Sequence, residues 1–269
     1  MIPNILSIAG SDPSGGAGIQ ADIKAISAND GYAMAVITGL TAQNTQGVTA
    51  VDMVSPAMIT AQIKAIRDDI RIDAIKIGML GDAVTIATVV EALEGVNAPI
   101  ILDPVMVAKG GDRLLAAEAV TALRDTLLPR ATVITPNLPE AADLLGEGEA
   151  SDTNTMQIQG QALRDLGCKA VLIKGGHLGD ADATDLLITD DGMTTLTATR
   201  HRTKNTHGTG CTLSSALATQ IGHGHPLPDA AQRAKAYISG AIAKADQLSV
   251  GHGHGPVHHF HAHQDRTGD

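Results

Sequence analysis

The segment Asn205-Thr206-His207-Gly208-Thr209-Gly210-Cys211-Thr212 combines residue types and spacing suited to chemistry. Gly208 and Gly210 interrupt the chain just before an Ala/Leu-rich stretch that reads as a helix. Glycine lets a backbone come close to an anion, and the first N–H groups of a helix have no partner within it. With the helix dipole added, Gly208, Thr209, Gly210 and Cys211 form a cradle for a phosphoryl group in transfer. The pattern is neither GxxxxGK[ST] nor GxGxxG, so it is not a P-loop or a dinucleotide fingerprint. The plain alternative is a helix start with a flexible lead-in. Cys211 adds a second role. A free thiol ionises near about 8.5 and a helix N-terminus lowers that value, so a thiolate base near neutral pH is expected. The alternative is that Cys211 only shapes the pocket, because phosphoryl transfer depends mostly on positioning and charge stabilisation. Cys168, beside an apolar run at Ala170, reads as a buried inert thiol.

Phosphoryl transfer also needs cations and oxygen ligands. Lys174 ends an apolar run beside Gly175-Gly176, where it could neutralise phosphate charge; otherwise it is a solvated lysine. Lys235, on a later helical stretch, could border a nucleotide. Asp103, Asn137 and Glu140 bring oxygen atoms to the ends of apolar runs, and Mg²⁺ prefers oxygen ligands while keeping several waters. Asn137 and Glu140 are three apart, which is equally the spacing of a helix capping box. Asp22 reads as a first-turn residue of a helix, where a carboxylate favours the dipole. Asp12, in the Gly-rich stretch, reads as a turn residue.

These residues fall at the ends of short apolar runs. Ile5–Ala9, Ala33–Leu40, Asp73–Ile77, Pro99–Leu102, Ala131–Ile134 and Ala170–Lys174 read as strands alternating with helical stretches. Asp190-Asp191-Gly192, between the runs 185–189 and 193–199, signals a late antiparallel hairpin. Stretches 211–221 and 228–248 read as closing helices. The expected fold is one α/β domain over 1–269, a three-layer α/β/α sandwich with a mostly parallel sheet. Ligands bind such sheets at the carboxyl ends of the strands. There lie the polar segments 10–18, 41–45, 78–79, 103–111, 135–137 and 174–177.

Composition narrows the class. With 43% hydrophobic and 18% charged residues, the 269-residue chain reads as a folded globular protein. Only Tyr32, Tyr237 and Phe260 are aromatic, so Met and Val are the expected partners for a ring face. A net charge of −10 argues against nucleic acid as a partner. No apolar stretch reaches the roughly 18 residues of a membrane span. Cys168 and Cys211 form no CxxC pair and read as free thiols of a reducing cytoplasm. The start MIPNILSIAG lacks the pattern of a secretory leader. The stretch 251–269 is rich in histidine, which by composition suggests metal binding or a tag.

The segment at 205–212 resembles the anion hole of the ribokinase superfamily, in which a Gly-Thr-Gly-Asp opens the helix and the Asp acts as base. Here Cys211 stands in place of that Asp. This departure is itself a feature of the hydroxymethylpyrimidine/phosphomethylpyrimidine kinases, which the chain resembles from end to end. The similar segments are Ala9–Asp22, Thr41–Thr45, Lys76–Leu80, Thr135–Ala141, Lys174–His177, Asn205–Ser214 and Gly255–His261. The resemblance implies a ribokinase-like fold and ATP-dependent phosphorylation of 4-amino-5-hydroxymethyl-2-methylpyrimidine and its monophosphate in thiamine biosynthesis. It implies Cys211 as base and a homodimer, with a structured packing tail. Gln43, by itself a polar loop residue, becomes the contact to the pyrimidine, since an amide offers both donor and acceptor to the amino group and ring nitrogen. Met79 would cover the ring face, Val105 and Val107 would line the wall, and Asp22 would touch the hydroxymethyl group. Two alternatives stay open: a pyridoxal or pyridoxine kinase of the same superfamily, and a non-catalytic vitamin or nucleotide sensor.

If Gln43 reads the ring edge, Gln43→Leu leaves ring polar groups unpaired and should cost about 1–3 kcal/mol in kcat/KM for the pyrimidine alcohol. Steady-state kinetics check this, and an unchanged kcat/KM would remove Gln43 from substrate reading.

Overall fold

Ile5, Leu6, Ile8, Ile75, Ile77, Ile101 and Leu102 have no exposed surface. Short runs buried on both faces are what the central strands of a parallel sheet require. The computed structural model of the chain describes residues 1–106, 115–176, 178 and 182–263. Its elements begin with β1 (Asn4–Ala9), α1 (Gly18–Ala28), β2 (Tyr32–Ile37), β3 (Gly39–Asn44), β4 (Gly47–Met53) and α2 (Pro56–Arg67). There follow β5 (Ala74–Ile77), α3 (Ala83–Ala92), β6 (Ile100–Leu102), α4 (Ala117–Ala122), β7 (Val133–Ile134), α5 (Leu138–Leu145) and α6 (Thr153–Asp165). The order ends with β8 (Val171–Lys174), β9 (Asp182–Thr189), β10 (Gly192–Thr199), α7 (Thr209–Gly222) and α8 (Leu227–Ala243).

The main sheet runs β10-β9-β8-β7-β6-β5-β1-β2. Strands from β8 through β2 pair in parallel, and β9 and β10 pair antiparallel at one edge. One face carries a core that includes Ile59 and Ile63 of α2, Ile86 and Val89 of α3, and Leu144 and Leu163 of α5 and α6. The other face packs Ile26 of α1 with Leu213 and Leu217 of α7 and Ala234 and Ile238 of α8. This is the expected three-layer sandwich with its late hairpin.

Two expectations need correction. Ala33–Leu40 is not one strand: β2 ends at Ile37, and Gly39 opens a separate two-stranded sheet of β3 and β4. Thr41–Asn44 is therefore strand rather than loop, and its register shifts between Ala42 and Gln43. Such a bulge re-aims a side chain, a device common beside active sites. The second closing helix is also shorter than 228–248: α8 ends at Ala243, and a short 3₁₀ turn, Ala245–Gln247, follows.

The sharpest constraint lies at Gly208. It takes φ 75°, in the left-handed region, as N-cap of α7, and a Cβ there would collide with Gly16 O. Only glycine satisfies both conditions. Gly208→Ala should destabilise the chain by about 1–3 kcal/mol, the scale of a strained backbone position. Thermal melts check this, and a melting temperature equal to the parent's would show that the crossing is soft.

Candidate active site

The cleft lies at the carboxyl ends of β1, β5, β6, β7 and β8, where α7 begins. The N–H groups of Gly210 and Cys211 have no hydrogen-bond partner among the described residues, and no side chain caps α7. A Cβ on Gly210 would lie 3.3 Å from Asp103 Oδ2 and 3.4 Å from Lys174 Nζ. The phosphate cradle, the candidate cation and the candidate metal carboxylate are thus brought together at one point.

Lys174 Nζ donates to Asp103 Oδ1 at 3.2 Å and lies 3.9 Å from Glu140 Oε2. Burial works against its charge, but Asp103 and Glu140 outweigh burial and keep it protonated. Asp103 is buried and also accepts from Thr135 Oγ1 at 3.2 Å. Asn137 and Glu140 form a full capping box on α5: Asn137 Oδ1 accepts from Glu140 N and Glu140 Oε2 accepts from Asn137 N, both at 2.8 Å. Burial pushes the Glu140 carboxyl up to about 7 against the pull of Lys174, with Asp103 adding to the rise. Glu140 therefore has one oxygen engaged in a cap and one left over. No group of three or more His, Cys, Asp or Glu side chains arranged to hold a metal occurs among the described residues. Two carboxylates beside a phosphate cradle do fit Mg²⁺, which usually takes one or two carboxylates plus phosphate oxygens.

Three sequence expectations change. Cys211 does not carry a lowered pKa: burial pushes its thiol up to about 12, and Asp22 and Asp103 add to this against Lys76 and the Gly18 amide. The helix terminus is outweighed by desolvation. Asp22 is the fifth residue of α1, not a first-turn one, and it is wholly buried. Its oxygens accept from Lys76 Nζ (2.9 Å to each), Ser7 Oγ (2.6 Å) and Ser215 Oγ (2.8 Å), so neither faces the cleft. Lys235 is buried and bound to Asp185 Oδ2 at 2.6 Å, while Asp185 Oδ1 accepts from Gly175 N at 3.1 Å. It braces the turn after Lys174 rather than offering a charge to a nucleotide.

Of the residues expected to meet the ring, Gln43, Met79 and Val105 are described. Gln43 is half-buried and makes only long contacts, 3.3 Å to Thr41 Oγ1 and 3.4 Å to His207 Nε2, which leaves its amide available to a ligand. Met79 is 7% exposed, and its sulfur lies 3.0 Å from the Cβ position of Gly10. Val105 is half-buried after β6, and Val107 lies outside the described residues.

Two residues escaped sequence reading. Lys76 sits in the otherwise apolar run Ala74-Ile75-Lys76-Ile77, and a lysine inside a fully buried strand signals a buried acid partner. His207 lies inside the cradle segment itself. Its Nε2–H donates to Asp12 Oδ2 at 2.8 Å. Burial would raise the Asp12 carboxyl, but His207, Ser14 and Ala17 outweigh burial and hold it below the usual range. That carboxylate also takes the Gly16 and Ala17 amides, so the Gly-rich loop is filled by its own acid. The tail is structured: His207 N donates to Gly255 O, Gly253 N and His254 N reach Thr45, and Thr212 Oγ1 meets His259 Nε2 at 3.1 Å.

Comparison with known proteins follows this geometry. A family model described as phosphomethylpyrimidine kinase matches residues 12–258. The hydroxymethylpyrimidine/phosphomethylpyrimidine kinase of Escherichia coli (strain K12) is 52% identical over 260 residues, covering 96% of this chain and 98% of its own. The phosphomethylpyrimidine kinase structure from Clostridium difficile 630 superposes with TM-score 0.79 at 41% identity, over 89% of this chain and 99% of that one. The Staphylococcus aureus pyridoxal kinase in complex with AMP-PCP and pyridoxal gives TM-score 0.89 at 32% identity, over 97% and 95%.

Glu140 gives a test by pH. Between about 4.3 and about 7 the folded chain keeps a proton on Glu140 that the unfolded chain loses, so this group makes stability fall as pH rises through that window. Glu140→Gln keeps a cap acceptor and cannot titrate. Thermal melts at pH 5 and pH 8 should show the parent losing more stability over this interval than the variant. Equal losses would mean that Glu140 ionises normally.

Proposed function

The chain belongs to the phosphomethylpyrimidine kinase family, and from that premise we propose how its residues carry out the reaction: phosphorylation of 4-amino-5-hydroxymethyl-2-methylpyrimidine, and of its monophosphate, at the expense of ATP. The observation that carries this reading is the meeting of the open α7 N-terminus with Lys174 and Asp103 at Gly210. In it, Gln43 holds the amino group and ring nitrogen, and Met79 and Val105 enclose the ring. The hydroxymethyl oxygen faces Cys211. The amides of Gly210 and Cys211, with Gly208 and Thr209 shaping the turn, receive the transferring phosphoryl group.

ATP lies toward Lys174 and Asn137, with Thr209 beside its phosphates. Lys235 supports that side through Asp185. Asp103 and the free oxygen of Glu140 are the groups that would hold Mg²⁺, which offsets phosphate charge when bound. As the hydroxyl oxygen bonds to the γ-phosphorus, the bond to the ADP oxygen breaks and the hydroxyl proton passes to Cys211 Sγ. Similarity to the S. aureus enzyme with pyridoxal favours a weaker second activity on pyridoxal-type alcohols. The same reading makes the enzyme a cytoplasmic homodimer. No helix among the described residues is long and apolar enough to cross a membrane.

The base is tested by substitution. Cys211→Ala and Cys211→Ser keep the amide but lose the thiolate, and kcat should fall by about 10²–10⁴, the range of general-base help. Cys211→Asp should recover activity. With a thiol pushed up to about 12, the parent's kcat should climb with pH across the neutral and mildly alkaline range, and the Asp variant's should be flat. A Cys211→Ala enzyme within about threefold of the parent would remove the thiol from the chemistry.

A further inference from the structure

Helices α1 and α7 lie against each other with matched positions one turn apart. Gly18 and Asp22 are four apart on α1, and Cys211 and Ser215 are four apart on α7, so each pair shares one helix face. The Gly18 amide faces the Cys211 thiol, and one turn deeper Asp22 Oδ1 accepts from Ser215 Oγ at 2.8 Å. Into this seam β5 inserts Lys76. Its Nζ holds both Asp22 oxygens at 2.9 Å and has no exposed surface. The ammonium is directed along the strand toward the cleft: a Cβ on Gly78, two residues nearer the strand's end, would lie 2.6 Å from Nζ.

A buried ion pair contributes little net stability, because desolvation offsets the attraction and an apolar pair fills the same space as well. The pair's place, one turn below Cys211, gives it another use. We propose that Lys76 is the positioning residue for the base: its ammonium is the fixed positive charge that supports negative charge on Cys211 Sγ, and Asp22 is the tether that holds it there. This inference deepens the reading of Cys211 as base and rests on it. The charged groups facing Cys211 are Lys76 from β5, Asp22 from α1 and Asp103 beyond β6; of these only Lys76 favours the thiolate. Burial would strip the Lys76 proton, but Asp22, Cys211 and Asp103 together outweigh burial and keep it charged, Asp22 most of all.

The test uses the full chain with Lys76→Met, Asp22→Asn and the double variant, in which no unpaired charge is left buried. Iodoacetamide labelling of Cys211 is followed against pH by peptide mass spectrometry, with Cys168 as internal reference and kcat measured in parallel. The double variant should label Cys211 at least tenfold more slowly at pH 8, with its profile displaced to higher pH, and its kcat should fall while KM for ATP holds. Asp22→Asn alone should also displace the profile to higher pH, because Lys76 then loses the carboxylate that holds it in place and keeps it charged. If Lys76→Met does not fold, the double variant and Asp22→Asn still decide. A Cys211 profile in the double variant that superimposes on the parent's overturns the proposal. Failure of the base reading looks different: Cys211→Ala would keep kcat while the labelling profiles still shifted.

Discussion

The cleft depends on one contact between two backbones. Where the loop after β1 meets the loop before α7, Gly208 leaves no room for a side chain beside Gly16 O. This close approach sets α1 against α7, so that Gly18 and Asp22 face Cys211 and Ser215. It also brings His207 onto Asp12, whose carboxylate closes the Gly-rich loop on itself. The open amides of α7 are thus the ones left for a foreign anion, while those of the earlier loop are already taken. A larger residue at 208 would separate the two loops and, with them, Cys211 and Ser215 from Gly18 and Asp22.

Charge is handled locally. The chain carries a net −10, yet three lysines are brought to the strand ends, each bound to one aspartate: Lys76 to Asp22, Lys174 to Asp103 and Lys235 to Asp185. Their side-chain exposures differ. Lys76 has none and Lys235 has 7%, while Lys174 has 14% and also meets Gly210. The graded burial separates their roles. Lys174 is the most accessible and stands beside Gly210, Lys235 is bound to the aspartate that holds the turn after Lys174, and Lys76 is sealed against Asp22. Fixed charges that need no reorganisation suit a reaction in which charge moves between oxygens.

Much of this was legible in the sequence, and the failures have physical causes. Apolar runs ending in Gly or polar residues revealed the parallel strands, because burial on both faces leaves few other compositions. The Asn137–Glu140 spacing raised both a cap and a metal site, and the cap is formed. The β3–β4 hairpin was missed because β4 is mostly exposed and β3 turns polar Thr41 and Gln43 to its half-buried side with Leu40 and Ala42 outward, so no apolar face marks it. Asp22 was misread because a local dipole argument cannot see Lys76, 54 residues away. The Cys211 thiol was expected to be acidic from its helix position, but desolvation is a tertiary property and it dominates. Lys76 carried its own signal, a charge inside an apolar strand, that motif reading passed over.

The tail ties together parts of the chain made at very different times. Gly253 bonds to Thr45 across 208 residues of sequence, and Gly255 is joined to Asn205 and His207. During synthesis the hairpin bearing Gln43 emerges early and cannot be fastened until the stretch 251–261 has left the ribosome. Contacts so distant in sequence form last, since the loop they close is long. A nascent chain can therefore complete its main sheet well before the β3–β4 hairpin is fastened, so the last contacts of the fold arrive as a late, separate event in the life of each molecule.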